Sequence, residues 1–121
     1  MQRALRGAQP HPDLADGIND LGLLHQEHGD YDVAETLFTE AIEVKRRLFG
    51  MKHPEIALGL NNLALVLHDE GNLKRAEATY RQALEMQREL LGDVHPDVAN
   101  TLNNLAFVQD DRGDLKGALE T

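Results

Sequence analysis

A period of 42 residues runs through this chain and constrains its fold more than any other feature. The sequence His-Pro followed by an acidic residue begins at positions 11, 53 and 95, so the spacing is 42 residues both times. The first two units share 15 of 42 residues, and Leu-Asn-Asn-Leu-Ala occurs at 60–64 and again at 102–106. A fixed period of this size indicates a stack of equivalent supersecondary units.

The period divides the chain into one repeat domain with four segments. We expect an N-terminal tail at 1–10, unit one at 11–52, unit two at 53–94 and a partial unit three at 95–121. In the tail, Leu5-Arg6-Gly7 is similar to Leu48-Phe49-Gly50 at the end of unit one, which predicts the end of a preceding helix. We therefore expect the chain to be a piece of a longer array.

Each unit carries the signals of two helices, A and B. Prolines at 12, 54 and 96 suit the first position of helix A, and the acid that follows each one faces the positive end of the helix dipole. Glycines at 29, 71 and 113, each followed by Asp or Asn, predict the end of helix A and the N-cap of helix B. Gly50 and Gly92 predict the end of helix B. Because no segment alternates as a strand does, we predict an all-α fold, a superhelix of antiparallel helix pairs.

Composition removes most catalytic chemistries. The chain has no Cys and no Ser, so disulfides, thiolate metal sites and Cys or Ser nucleophiles are absent. The net charge of −9 has the wrong sign for binding nucleic acid or an anionic membrane. No apolar run reaches the roughly 18 residues of a membrane helix, and the N-terminus lacks the apolar core of a signal peptide. We expect a cytoplasmic protein with no enzymatic activity, cofactor or metal.

The spacing within each unit resembles the tetratricopeptide repeat. The matching residues in unit one are Ile18, Leu21, Gly22, His25, Ala34 and Phe38. Those in unit two are Leu60, Leu63, Ala64, Leu67, Ala76 and Tyr80, and those in unit three are Leu102, Leu105, Ala106, Gln109 and Ala118. The 42-residue length and the Leu-Asn-Asn-Leu-Ala sequence are similar to the longer repeat of kinesin light chains and their bacterial relatives. Across residues 11–121, this resemblance implies a non-catalytic protein-interaction module whose A helices line a concave peptide groove.

A helical wheel separates helix A of unit two into two faces. Leu60, Leu63, Ala64 and Leu67 form one stripe, which we expect to pack on helix B. The opposite face gives three rows along the stack, one apolar, one short and polar, and one acidic, with further amides beside them. The candidate peptide-binding residues are Asn19, Asp20, Leu23, Glu27, Leu58, Asn61, Asn62, Leu65, Asp69, Asn100, Asn103, Asn104, Phe107 and Asp111.

These residue types suit peptide capture, and their charge predicts a preference. Amide side chains bind a peptide backbone without reading its sequence, and apolar side chains form pockets for its side chains. The A helices hold ten acids and one base, so the whole net charge of −9 belongs to them. Kinesin light chains are known for acidic cargo peptides, which need a basic groove. Here we expect a neutral or basic partner, because like charges repel.

Each of these interpretations has a structural alternative. The Asn side chains also suit hydrogen bonds between repeats, and Phe107 also suits packing under a missing neighbour. The acidic row also fits a solvated face. His25 and His28 have the spacing of a weak metal pair, but His25 belongs to the stripe that packs on helix B. The alternative function is a structural spacer or an oligomerisation segment, which associates through exposed apolar ends of the solenoid.

Overall fold

A computed structural model describes the backbone of residues 12–120 and the side chains of residues 14–113. The described part of the chain contains five helices. They are α1 (Pro12–Glu27), α2 (Tyr31–Phe49), α3 (Pro54–Asp69), α4 (Leu73–Leu91) and α5 (Pro96–Glu120). Helices α1 and α2 are the A and B helices of unit one, α3 and α4 those of unit two, and α5 begins unit three. No strand occurs between 12 and 120, and the all-α prediction is confirmed. The predicted tail at 1–10 lies outside the described residues.

The turn from helix A to helix B is the same in both complete units. Gly29 and Gly71 have φ angles of 81° and 88°, the left-handed conformation that glycine adopts most readily. The N–H of Gly71 donates to the carbonyl of His68 at 2.9 Å, and the N–H of Asn72 donates to that of Leu67 at 2.8 Å. These two bonds close the helix in a Schellman motif, so the predicted end of helix A is confirmed.

Asp30 and Asn72 occupy the predicted N-cap positions, but their side chains make no capping hydrogen bond. Their ψ angles of 67° and 70° differ from the extended backbone that usually aims an N-cap side chain at the helix. Their carbonyls still accept the first helical bonds, from Ala34 and Ala76, both at 3.0 Å. The position was therefore predicted correctly, and the capping bond was not.

At the turn from helix B to the next helix A, histidine is the cap. His53 has an extended backbone, and its Nδ1 accepts the N–H of Glu55 at 3.0 Å. His95 accepts the N–H of Asp97 in the same way, also at 3.0 Å. The ring of His53 additionally stacks on Phe49, with centroids 4.1 Å apart. The histidine of each described His-Pro pair is therefore structural, as its place at the helix entrance predicts.

The predicted helix boundary at Gly113 is wrong, because α5 passes through this residue and ends at Glu120. The part of α5 after Gly113 is seven residues long, or about two helical turns. A separate helix of this length would gain little from packing, and forming its first turn would cost free energy. Continuing α5 keeps the backbone hydrogen bonds of this segment satisfied without a new helix start.

The core continues from one unit to the next because α3 is covered on two faces. Its predicted stripe packs on α4, where Ala64 and Leu67 join the buried Tyr80 in one cluster. Its second face packs on α2, where Ile56 lies with Ile42. Burial raises the pKa of Tyr80 to about 12, because the apolar core disfavours the phenolate. Each B helix is thus enclosed between two A helices.

Gly17 and Gly59 occupy equivalent positions in α1 and α3 and give a test of this arrangement. A Cβ at Gly17 would meet nothing within 4 Å, whereas one at Gly59 would lie 2.9 Å from Cγ1 of Ile42. We expect Gly17→Ala to raise the free energy of unfolding by about 0.5–1 kcal/mol through helix propensity. Gly59→Ala should lower it by about 1–3 kcal/mol, because Ile42 must move within a packed interface. Urea denaturation followed by circular dichroism measures both, and equal effects would contradict the packing described.

Candidate functional site

The first two A helices lie side by side and are joined by side-chain hydrogen bonds. Asn62 Nδ2 on α3 donates to Asn19 Oδ1 on α1 at 2.9 Å. About two helical turns after Asn19, near the end of α1, Gln26 Nε2 donates to Asp69 Oδ2 on α3, also at 2.9 Å. Each bond joins residues that are 43 positions apart in the chain. The two helices are therefore held in register along their length.

The second pair of A helices is joined in a related way. His68 Nε2 on α3 donates to Asp111 Oδ2 on α5 at 2.6 Å, again with a separation of 43 residues. Asn61 Nδ2 donates to Thr101 Oγ1 at 2.9 Å. The exposed surfaces of α1, α3 and α5 therefore form one continuous face, which we call the A-face.

The structure gives five predicted site residues partners within the protein. The amides of Asn19, Asn61 and Asn62 and the carboxylates of Asp69 and Asp111 all bond between A helices. Hydrogen bonding between repeats, one of the two interpretations of the asparagines, is therefore the one observed for these three. Asn103 is exposed although Asn61, its equivalent in unit two, is half-buried, because α5 is followed by no further A helix in the described chain.

Apolar side chains remain open on the A-face. Leu23, Leu65 and Phe107 occupy the same position in successive units, and their exposed fractions are 39%, 40% and 56%. We call these three residues the apolar row. Leu58 is exposed beside it on α3. The other predicted residues of this face are polar: Asp20, Glu27, Asn100 and Asn103 are exposed, and Asn104 is half-buried.

The charge of the A-face is negative. Its acids include the exposed Asp16, Asp20 and Glu27. Arg112, the one base that the sequence places on an A helix, is bound instead to Glu77 of α4. The hydrogen bond from Arg112 outweighs the effect of burial and holds the pKa of Glu77 below its ordinary value.

A buried polar group at the junction of α3, α4 and α5 was not predicted. Thr101 and Gln87 are both fully buried, and Thr101 Oγ1 lies 2.6 Å from Gln87 Oε1. Asn61 reaches Thr101 from the A-face, so this group connects the surface with the core. Sequence analysis also missed Gln26 and His68 as links between helices. The sequence does contain a signal for them, because Gln26 directly precedes Glu27 and His68 directly precedes Asp69, both of the predicted acidic row.

The rings of His25 and His28, the predicted weak metal pair, bond to different groups. His25 Nδ1 lies 3.3 Å from Asp30 Oδ2, whereas His28 Nδ1 bonds the carbonyl of Leu24 at 2.8 Å, so the two rings have separate partners. Between residues 12 and 120, no group of three or more His, Asp or Glu residues is placed to hold a metal ion. Within the same range, no helix has the length and apolar character needed to cross a bilayer.

Solved structures with the same architecture include a bacterial and a fungal protein. The BtubC (BKLC) protein of P. vanneervenii matches with a TM-score of 0.82 and 27% identity, over 97% of this chain and 47% of that chain. A structure of nearly identical TPR-like repeats, attributed to a kinesin light chain of Podospora anserina, matches with a TM-score of 0.77 and 20% identity. That match covers 97% of this chain and 55% of the other, and shows the fold alone. The chain thus spans about half the length of each structure.

Sequence comparison agrees with the architecture. No curated protein matches the chain. The profile of the tetratricopeptide repeat matches residues 13–89 and again 55–121, so the two matches together include nearly every residue. The helix pairs and the shared glycine turns are those expected for this repeat. The chain therefore belongs to the tetratricopeptide repeat family.

Proposed function

We propose that the A-face binds a peptide or an exposed segment of a partner protein. Tetratricopeptide repeats are in general protein–protein interaction modules, which use the extended surface of a solenoid. The observation that carries the proposal is the apolar row, whose three members stay exposed on successive A helices. The hydrogen bonds between A helices fix the spacing of the row, so a ligand meets a preformed surface. A preformed surface limits the loss of conformational entropy on binding.

The geometry of the row suggests the form of the ligand. Packed helices lie about 8–10 Å apart. A chain in the polyproline II conformation returns to the same face every three residues, after about 9 Å. Apolar side chains at every third position of such a peptide would therefore meet successive members of the row. The exposed amides of Asn100 and Asn103 are available for its backbone.

The acidic surface favours a neutral or basic ligand. Asp16, Asp20 and Glu27 are exposed on the first A helix, and Arg112 is occupied by Glu77. Lysine or arginine between the apolar residues of a peptide would lie close to these carboxylates, whereas glutamate there would be repelled. This preference is opposite to the acidic cargo that the resemblance to kinesin light chains implies.

Two labelled peptides test the charge preference. Both carry leucine at every third position, with either lysine or glutamate between. At low salt we expect the lysine peptide to bind at least about tenfold more tightly by fluorescence anisotropy, a difference of about 1.4 kcal/mol. The difference should shrink at about 0.5 M salt because the charges are screened. Equal or tighter binding of the glutamate peptide would refute the charge preference.

Phe107→Ala tests the apolar row. Phe107 is 56% exposed and contributes little to the core, so we expect an unchanged melting temperature and a loss of lysine-peptide affinity of about fivefold or more. Val94→Ala is the matched control, because Val94 is 96% exposed and lies in the turn before α5, outside the row. If the two variants bind alike, the apolar row is not the binding surface.

A structural role is the second candidate, and a different stripe of α1 favours it. Leu14, Leu21 and Leu24 are exposed to 41%, 46% and 48%. Their equivalents in α3 pack against helix α2: these are Ile56, Leu63 and Val66. The α1 stripe is therefore the face of an A helix on which the B helix of a preceding unit would pack. In this candidate function, the stripe associates with another chain or repeat, and the A-face stays empty.

Sedimentation of a double variant tests this second candidate. If the α1 stripe drives self-association, the chain should sediment as a concentration-dependent oligomer, and Leu21→Glu with Leu24→Glu should make it monomeric. Leu23→Glu with Leu58→Glu is the matched control, since it places the same two charges on the neighbouring A-face. A wild-type chain that stays monomeric up to about 100 µM would contradict self-association through the α1 stripe.

The remaining functional expectations stay predictions. The family in general is not catalytic, which agrees with the lack of a Cys or Ser nucleophile in the chain. The expected cytoplasmic location and the expected absence of a cofactor have no direct test in the structure. The activity of any longer protein that contains this segment is likewise part of the proposal.

A further inference from the structure

The two junctions between units place different charges at the same position. At each junction, a residue within an A helix or directly after it meets a glutamate of the preceding B helix. The B-helix glutamates are Glu35 in unit one and Glu77 in unit two, 42 residues apart. The residues that meet them are Glu70 and Arg112, also 42 residues apart. The first junction therefore joins two acids, and the second joins an acid and a base.

The second junction is closed by charge-assisted hydrogen bonds. The carboxylate of Glu77 is mostly buried and binds the guanidinium of Arg112. Arg81 Nη2 on the same helix lies 2.5 Å from Glu77 Oε2, and Gln109 Nε2 donates to the same oxygen at 3.4 Å. The ionised form of Glu77 is thus satisfied, and bonds of this type are about twice as strong as neutral ones.

The first junction leaves its acid unsatisfied. Oε1 of Glu70 is buried and has no hydrogen-bond partner. The groups of α2 that face the Glu70 carboxyl are Glu35 and Asp32, both acidic. Arg75 of α4 binds the other acid of the junction, with its guanidinium 3.0 Å from the Glu35 carboxylate. The turn before α2 adds Asp30, which lines a depression of about 490 Å³ together with Asp32 and Glu70.

Burial and these neighbours favour the neutral acid at Glu70. Burial is the largest cause that raises the pKa of Glu70, followed by the nearby carboxyl of Glu35 and by the negative charges of Glu35 and Asp32. A protonated carboxyl at this position can donate to the Glu35 carboxylate, whereas an ionised one can only repel it. A hydrogen bond between these two carboxyl groups would therefore require one proton.

We propose that the junction between units one and two is a pH-sensitive joint: the protonated Glu70 carboxyl holds α3 against α2, and its ionisation loosens the contact. The junction between units two and three, with Arg112 at the equivalent position, stays closed in the same pH range. Acidification thus stiffens one junction of the stack selectively. The inference goes beyond peptide binding and does not depend on it.

The direction of the pH dependence follows from proton linkage. In the unfolded chain Glu70 titrates near the ordinary glutamate value of about 4.3. Because its pKa is higher in the folded state, the folded chain holds the proton at pH values where the unfolded chain has lost it. The stabilisation is complete below the unfolded pKa and decreases as the pH rises through the folded pKa. Ionisation of Glu70 therefore destabilises the neutral-pH protein.

Glu70→Gln tests the proposal in the whole chain, because glutamine imitates the protonated acid at every pH. Melting temperatures by circular dichroism from pH 4 to pH 8 are compared with wild type. We expect a difference close to zero at pH 4 that grows to about 3 °C or more in favour of the variant at pH 7.5. In amide hydrogen exchange at pH 7.5, Glu70→Gln should increase the protection of the amides of residues 31–35. The increase should be larger there than for the amides of α5.

Two further variants separate this effect from the general charge of the chain. Asp110→Asn removes an exposed carboxylate from an A helix and should raise the melting temperature by less than Glu70→Gln at pH 7.5. Glu70→Arg reproduces the second junction and should remove the pH dependence as well. The joint is excluded if Glu70→Gln matches Asp110→Asn at pH 7.5, if its effect does not change with pH, or if it destabilises the chain at neutral pH.

Discussion

Enclosure of each B helix between two A helices is the constraint on which the rest of the structure depends. A lone pair of helices would leave the outer face of α2 or α4 in water. The next A helix covers that face, through contacts such as that of Ile42 with Ile56. Since burial of apolar area is the main favourable term in folding, the units are stable only as neighbours. Every other feature, including the continuity of the A-face, follows from this stacking.

Helix positions were predictable from the sequence because local chemistry determines them. A proline after histidine starts each A helix, and glycine with a positive φ ends the first two, as in the turn at Gly71. These signals need no knowledge of distant residues. Gly113 shows the limit of this approach, because a stop signal acts only when the following segment has a surface to pack on. There α5 continues instead.

The candidate site was predictable only in part, because its polar residues depend on contacts between units. The exposed apolar row follows from helical periodicity within one unit. The partners of Asn62 and Asp69 do not, because they lie 43 residues away, and neither residue type indicates whether water, a ligand or a neighbouring helix will satisfy it. The A-face is therefore less polar in effect than the sequence suggests, since its central amides are occupied.

Three of the four bonds between A helices join residues 43 positions apart, one more than the repeat of 42, and this offset has a geometric consequence. In these three pairs the partner lies one residue beyond the equivalent position, so a line through the bonded residues crosses the helices obliquely. If the same offset is repeated in successive units, the oblique steps accumulate into a screw. A ligand that follows the face must then wind with it, so its usable length grows with the number of repeats only if its own backbone accepts the same pitch.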